Sequence, residues 1–424
     1  MSNDSFSGFG DIRPALKKKF IPAYLLSFVN VLGFSILMPI LPFVVESYDA
    51  PKWVFGLLLT LYSSFQFFGS PFLGALSDDN GRKPILIISQ AGTLFSWLIF
   101  LFALYLPDIP LWGYALPLWI IALSRILDGL TGGNISVANA YVADITDRTE
   151  KSYIFGYLGG ITGLGMIIGP GIGGLAASTS LGYMGTILVS TGVSTITLIA
   201  IFFWLKESHQ PDKNKSHPRR SLVQSLYVLK HIREIDPDPA IKLLFTLKLF
   251  FSIMMAFYIG SISLFLIDLF HFDEQGLGTF MFVVGMFLSF NQAFLSKRFI
   301  KRFGAFPTLL IGLGLSFLGL FSITLTDNLY LFIAFYYVMN LGLSLSFPTF
   351  NSLISIHANP EKLGETMGVS ESINSLAMAL FPVISATLYG MLSFELYYLI
   401  SALPLTALLI ALTRYKKLGK KALA

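Results

Sequence analysis

Twelve apolar stretches, each long enough to cross a bilayer, follow one another along the chain with mostly short polar turns between them. They lie at roughly 20–45, 53–77, 84–106, 111–143, 154–177 and 183–205, and then at 241–267, 276–296, 306–325, 329–356, 365–392 and 395–413. A helix needs about 20 apolar residues to span hydrocarbon, and in lipid each segment must satisfy its own backbone hydrogen bonds. Twelve crossings take about 240 residues, which leaves the 424-residue chain its tails, its turns and one longer linker, with no soluble catalytic domain. The charge content agrees, at 12% against about 25% in a soluble chain. The expectation is an all-α membrane protein.

Orientation follows from the distribution of lysine and arginine, which accumulate on the cytoplasmic side of membrane proteins. With both termini inside, Arg13, Lys17 to Lys19, Arg82, Lys83, Arg148, Lys151, the basic part of 206–240, Lys297 to Arg302, Lys362 and the tail from Arg414 share one side, while Lys52 stands alone on the other. The asymmetry predicts twelve transmembrane helices with cytoplasmic N- and C-termini. The polar segment 206–240 sits almost midway and divides a six-helix bundle at 1–205 from a second at 241–424, tail included. Glu150-Lys151 before Gly156 is echoed by Glu361-Lys362 before Gly368. Such internal repeats are how many transporters are built, with substrate bound near the midplane between them. The apolar run behind the basic N-terminal stretch is too long for a cleaved signal and reads as an anchor.

Several chemistries are excluded. There is no cysteine, hence no disulfide, thiolate zinc site or iron–sulfur cluster. The five histidines lie between or at the ends of the apolar runs, which argues against an intramembrane relay or haem. The net charge of +5 is scattered over short loops, unlike a nucleic-acid-binding face. No phosphate-binding G-x-x-x-x-G-K-[ST] loop occurs. An enzyme, a resident metal and a cofactor are not expected, and an ion gradient is the remaining energy source. A membrane-embedded carboxylate is a suitable coupling group, because desolvation moves its pKa toward the range where binding and release both occur.

The turn after the second stretch reads Gly74-Ala-Leu-Ser-Asp78-Asp79-Asn-Gly81-Arg82-Lys83-Pro84. Gly81 permits a tight reversal, Pro84 suits a first helical turn, and Asp78 can pair with Arg82 or face a helix N-terminus. The spacing resembles the signature loop of the major facilitator superfamily, G-x-L-x-D-x-x-G-R-[KR]. The matching turn of the second half, Leu295 to Gly304, keeps its basic pair and glycine but has no acid. In the fifth stretch, Gly165, Gly169, Pro170, Gly173 and Gly174 are similar to the G-x-x-x-G-P-x-x-G-G pattern of the drug:proton antiporter branch, and small residues so spaced let helices pack backbone to backbone. The resemblance implies that this run controls closure of the cavity; a plain packing motif is the alternative.

The fourth stretch holds Arg125, Asp128, Asn134 and a closing AYVADIT with Asp144. Arg125 and Asp128 lie three apart, on one helical face, and two charges that neutralise each other and face water cost less than the ~2.5–3.5 kcal/mol of a lone intramembrane charge. The stretch resembles the fourth helix of tetracycline-resistance-type exporters. That resemblance implies proton coupling by Asp128 with Arg125, and a cytoplasmic latch of Asp144 with Asp78 and Arg82; a structural ion pair is the alternative. The first stretch is similar to theirs as well, except that Asn30 stands where they carry aspartate, and an amide holds no proton. Polar stripes at helical spacing add candidates for a substrate cavity: Tyr62, Gln66 and Ser70; Asn340, Ser344 and Asn351; Glu371, Asn374 and Met378. Glu371 equally suits a gate residue, and Lys248 can snorkel to the interface.

These features predict the major facilitator fold in a bacterial inner membrane. The expected activity is export of a small drug-like or tetracycline-like compound in exchange for protons or another ion, by a monomer whose other partner is lipid. Proton-coupled import of a nutrient, metabolite or siderophore is the alternative, and a non-transporting receptor a third.

Overall fold

A computed structural model describes residues 20–147, 150–209, 239–359 and 362–418. Residues 1–19, Arg148, Glu361, residues 210–238 of the expected linker and the tail beyond Leu418 lie outside the described residues. The first helices are α1 Ile21–Leu37, α2 Leu41–Glu46, α3 Lys52–Asn80 and α4 Arg82–Ala103. A short hairpin of β1 Pro110–Leu111 and β2 Tyr114–Ala115 precedes α5 Leu116–Gly132, α6 Ile135–Asp144, α7 Lys151–Ala177 and α8 Tyr183–Trp204. Next come α9 Pro239–Phe270, α10 Glu274–Phe290, a π-helical turn at Asn291–Ser296, α11 Lys297–Phe303 and α12 Ala305–Ser322. The last are α13 Leu329–His357, α14 Leu363–Leu392 and α15 Leu396–Leu418.

Local sequence explains where these helices break. Pro39 and Pro42 lack the N–H that a continuous helix needs, and the first apolar stretch is accordingly split into α1 and α2. Gly133 and Asn134 separate α5 from α6, and the fourth helix starts at Leu116, not near 111, because Pro110 to Ala115 form the hairpin. Gly81 turns α3 into α4 at φ +94°, and Gly304 turns α11 into α12 at φ +87°, a left-handed backbone that glycine adopts freely. The two halves thus make the same reversal at corresponding places, although only the first keeps the acid beside it.

Among the described residues, eight helices are long and apolar enough to cross a membrane. One of these segments, Thr366–Arg414, takes in both α14 and α15, and those of the first half that fall short are α1, with 17 residues, the separate α5 and α6, and α3, which carries Gln66, Ser70 and Asp78 along its length. The first half therefore carries these polar residues in the helices that fall short of that apolar measure.

Within the first half α1 packs on α7 and α8, α3 on α5, and α4 on α5 and α8. Within the second, α12 packs on α13 and α15, and α9 on α14 and α15. Two seams join the halves, α3 against α14 and α7 against α10, and one apolar core runs through both.

Candidate functional site

The seams are tight at one end only. Thr60 Oγ1 accepts from the Val383 backbone N–H at 3.0 Å, and Ser64 Oγ donates to the Ala379 carbonyl at 2.8 Å. On the other seam Gly174 lies against Gly278, so close that a Cβ at Gly174 would sit 3.0 Å from the Gly278 Cα. Toward Gly81 the halves part, and a cavity of about 460 Å³ opens between them.

Its wall is built at helical spacing. Asn30 and Phe34 come from α1, Tyr62, Gln66 and Ser70 from α3, Ser136 and Asn139 from α6, and Glu371, Asn374 and Met378 from α14. Residues three or four apart share a helical face, so the stripes at 62/66/70 and 371/374/378 both reach the cavity whole. Aromatic rings with a few amides and hydroxyls suit a small organic molecule held by shape and sparse hydrogen bonds. Among the described residues, Glu371 is the one carboxylate on this wall. Ser136 and Asn139 belong to the same constellation; only the break before α6, which turns that face inward, distinguishes them in advance.

Four expected cavity residues lie elsewhere. Asn134 is fully buried and accepts a 2.5 Å hydrogen bond from Asn30 Nδ2, so it backs the wall without lining it. Asn340 and Ser344 face α10, where Asn340 Nδ2 donates to the Val284 carbonyl at 3.1 Å and Ser344 Oγ to the Asn340 carbonyl at 2.7 Å. Their stripe has helical spacing, but it braces the second half. Asn351 accepts a 3.4 Å bond from Lys248 Nζ, and Lys248 is buried, where the sequence suggested an amine snorkelling to the interface.

Arg125 and Asp128 form an ion pair at 3.1 Å with side chains 3% and 5% exposed, so the pair does not face water as expected. The guanidinium lies over the Trp97 ring at 4.8 Å and the Phe100 ring at 5.3 Å, and the Ser96 and Thr93 hydroxyls approach the carboxylate. A buried pair of this kind needs its hydrogen bonds complete, and Arg125 Nη2 has no partner.

At the Gly81 turn, Arg82 bonds Asp78 at 2.5 Å, Asp144 at 3.0 Å and the Ser77 hydroxyl at 2.6 Å. Glu207, a member the sequence reading missed, accepts from the backbone N–H groups of Arg82 at 2.9 Å and Lys83 at 3.0 Å, the free N–H groups of the α4 N-terminus. Partial burial opposes ionisation of Glu207, but the N–H groups of His209, Arg82, Lys83 and Ser208 outweigh it and hold the carboxyl below its usual range. An acid just after the last helix of a half was the available signal. A Cβ built at Gly74 would lie 3.5 Å from Ser136 Oγ, so this end of α3 approaches the cavity helix α6.

The glycines of α7 divide their work. Gly165, Gly169 and Gly173 face α1, where Ser35 Oγ donates to the Gly165 carbonyl at 2.9 Å, whereas Gly174 faces α10 across the seam. Pro170 shares that seam, its carbonyl 2.5 Å from a Cβ built at Gly278. At the closed end Lys52 pairs with Asp268 at 2.5 Å, and Tyr389 donates to the same carboxylate at 2.9 Å.

A largely apolar cavity with a few amides, hydroxyls and one acid, set between two helical halves, is the architecture of a membrane transporter and not of an enzyme. The chain belongs to the Major Facilitator Superfamily, whose pattern matches residues 23–382. It is similar to the tetracycline resistance protein, class H, of Pasteurella multocida, 24% identical over 380 residues that cover 88% of this chain and 90% of that one. Solved structures share the fold. The human organic anion transporter TETRAN matches with TM-score 0.68 at 21% identity, covering 93% of this chain and 99% of its own. A D-xylose–proton symporter matches with TM-score 0.71 at 15% identity, covering 93% and 96%. The protein is thus an integral multi-pass membrane protein of a transporter superfamily.

Proposed function

We propose that this protein is a secondary active transporter of a bacterial inner membrane that exports a small organic compound in exchange for protons. In this reading it has twelve transmembrane helices in two six-helix bundles, 1–205 and 241–424, with both termini cytoplasmic, and it works as a monomer. The helix pairs α1–α2, α5–α6 and α10–α11 then each act as one crossing. The Gly81 end is cytoplasmic, so the structure is open inward and closed outward. Asp128 takes up and releases the proton, Arg125 sets its acidity, and Asn30, Tyr62, Gln66 and Glu371 contact substrate.

The observation that carries this reading is the Arg125–Asp128 pair, 3.1 Å apart and buried inside a spanning helix. A carboxylate buried beside a single cation can give up its proton and take it back as its surroundings change, and opposite preferences in the inward- and outward-open states couple proton flow to exchange. Efflux proteins with tetracycline and quinolone resistance names are among the similar chains, which favours export. Proton-coupled import is the second reading, favoured by Asn30, which leaves the first helix without an acid.

Everted vesicles carrying a preformed pH gradient test both. Addition of tetracycline, or of a compound found by growth screening of a deletion strain, should discharge the gradient with wild-type protein and not with Asp128→Asn. A gradient that grows or stays unchanged on substrate addition argues for import or for another ion, and discharge by Asp128→Asn at the wild-type rate removes Asp128 from coupling.

A further inference from the structure

The ion pair and the cavity are separate places, and one side chain touches both. Tyr62 lines the cavity and is 6% exposed, while neither Arg125 nor Asp128 is among the lining residues. The Tyr62 ring stacks on Phe34 with centroids 5.2 Å apart. Its hydroxyl accepts from Gln66 Nε2 at 3.1 Å, and that amide also reaches the Gly132 carbonyl at 3.4 Å. The hydroxyl lies against the bare face of Gly132, 3.3 Å from where a Cβ would be, and Gly132 is one turn beyond Asp128 on the same helix. The charges of both Asp128 and Arg125 act on the Tyr62 hydroxyl. On the opposite side α4 covers the pair with Trp97, Phe100, Ser96 and Thr93. Among the described residues, the charged or titratable groups that act on Asp128 are therefore Arg125 from its own helix and Tyr62 from α3.

We infer that Tyr62 is the shutter between the substrate cavity and the proton site. A substrate that enters beside Phe34 and Gln66 must displace the stacked ring or its hydrogen bond, and the displaced ring opens a water path to Asp128. Closed, the ring keeps protons from crossing without substrate, because a desolvated carboxylate has no water to exchange with. Tyr62 is a positioning residue in this scheme, and the scheme rests on the assignment of Asp128 as the proton carrier.

The native chain contains no cysteine, so a Ser96→Cys thiol beside Asp128 on its α4 side is the sole reactive sulfur. In everted vesicles a charged, membrane-impermeant thiosulfonate should label Ser96→Cys slowly, and Ser96→Cys with Tyr62→Ala at least ~10-fold faster, the ratio that ~1.4 kcal/mol in an opening equilibrium produces. Ser96→Cys with Tyr62→Phe should stay slow, since the ring remains. Equal labelling of all three overturns the shutter. If Tyr62→Ala does not elute as a folded protein, Phe34→Ala, which removes the ring that Tyr62 stacks on, is read the same way. Substrate-free proton leak into proteoliposomes, followed with a pH dye, separates the two levels. Faster labelling with a leak that Asp128→Asn abolishes supports shutter and carrier together. Faster labelling with a leak indifferent to Asp128→Asn keeps the path but overturns the inference that it serves Asp128.

Discussion

Lys52 Nζ and Asp268 Oδ2 lie 2.5 Å apart across the two halves, one at the start of α3 and the other near the end of α9. The ammonium also sits 5.1 Å from the centre of the Tyr389 ring, so a cation, an anion and an aromatic from three helices close one end of the seam. The side chains are 41% and 29% exposed, and a pair so accessible is worth about 0.2–1 kcal/mol. A bias of this size suits a closure that must open in every cycle.

Lys52→Ala or Asp268→Asn should therefore raise the population open at this end by about 1.4- to fivefold, and high salt should do the same to the native protein. Spin labels at Ala50 and His271 on either side of the seam measure it. An unchanged distance distribution in both variants would remove the pair from the closure.

Glu207 should respond to acid in one direction only. Its folded-state carboxyl is held below the usual range, so its docking energy is complete above the ordinary glutamate value of about 4.3 and is lost as pH falls through the lower folded value. Hydrogen exchange at the Arg82 and Lys83 amides should be flat from neutral pH down to that range once the intrinsic rate is removed, and should accelerate below it. Glu207→Gln should raise exchange at neutral pH, by no more than about 1 kcal/mol of protection given its exposure.

The ion pair makes a stability prediction independent of transport. Arg125→Met leaves Asp128 buried without its cation and should cost about 3–5 kcal/mol. Replacing both, Arg125→Met with Asp128→Leu, should recover most of that loss, because the desolvation penalty disappears with the charges. Thermal unfolding in detergent, read from the four variants of a double-mutant cycle, gives the coupling.

Latch and seam variants should separate in what they slow. Asp78→Asn removes a charged partner of Arg82 and should reduce turnover while substrate binding is kept. Gly174→Ala pushes against the Glu274 carbonyl, 2.5 Å from the new Cβ, and should weaken the α7–α10 seam, whereas Gly160→Ala, where nothing lies within 4 Å, should be neutral. Equal transport by both alanine variants would argue against close backbone packing at the seam.

Much of this was legible residue by residue. Asp78 and Arg82 meet as their spacing suggested, and Asp144 meets Arg82 as the family resemblance implied, since a short turn and one helix end bring them together. The stripes of α3 and α14 reach the cavity because three- and four-residue spacing defines a face without reference to any neighbour. The α13 stripe has equally good spacing and yet packs on α10, because periodicity names a face and not the surface opposite it. Glu207 and Asp268 stood as single acids beside apolar runs, and a lone residue carries no period to read.

Hydrophobic run length, basic-residue asymmetry and the glycine, proline and acid pattern of the turns were properties of the chain alone, since bilayer thickness and backbone geometry act on each segment separately. Whether Arg125 and Asp128 meet water, which asparagines touch the cavity, and at which end the halves close depend on contacts between segments far apart in sequence. Only the packed helices decide these, because burial is a property of what lies on the other side.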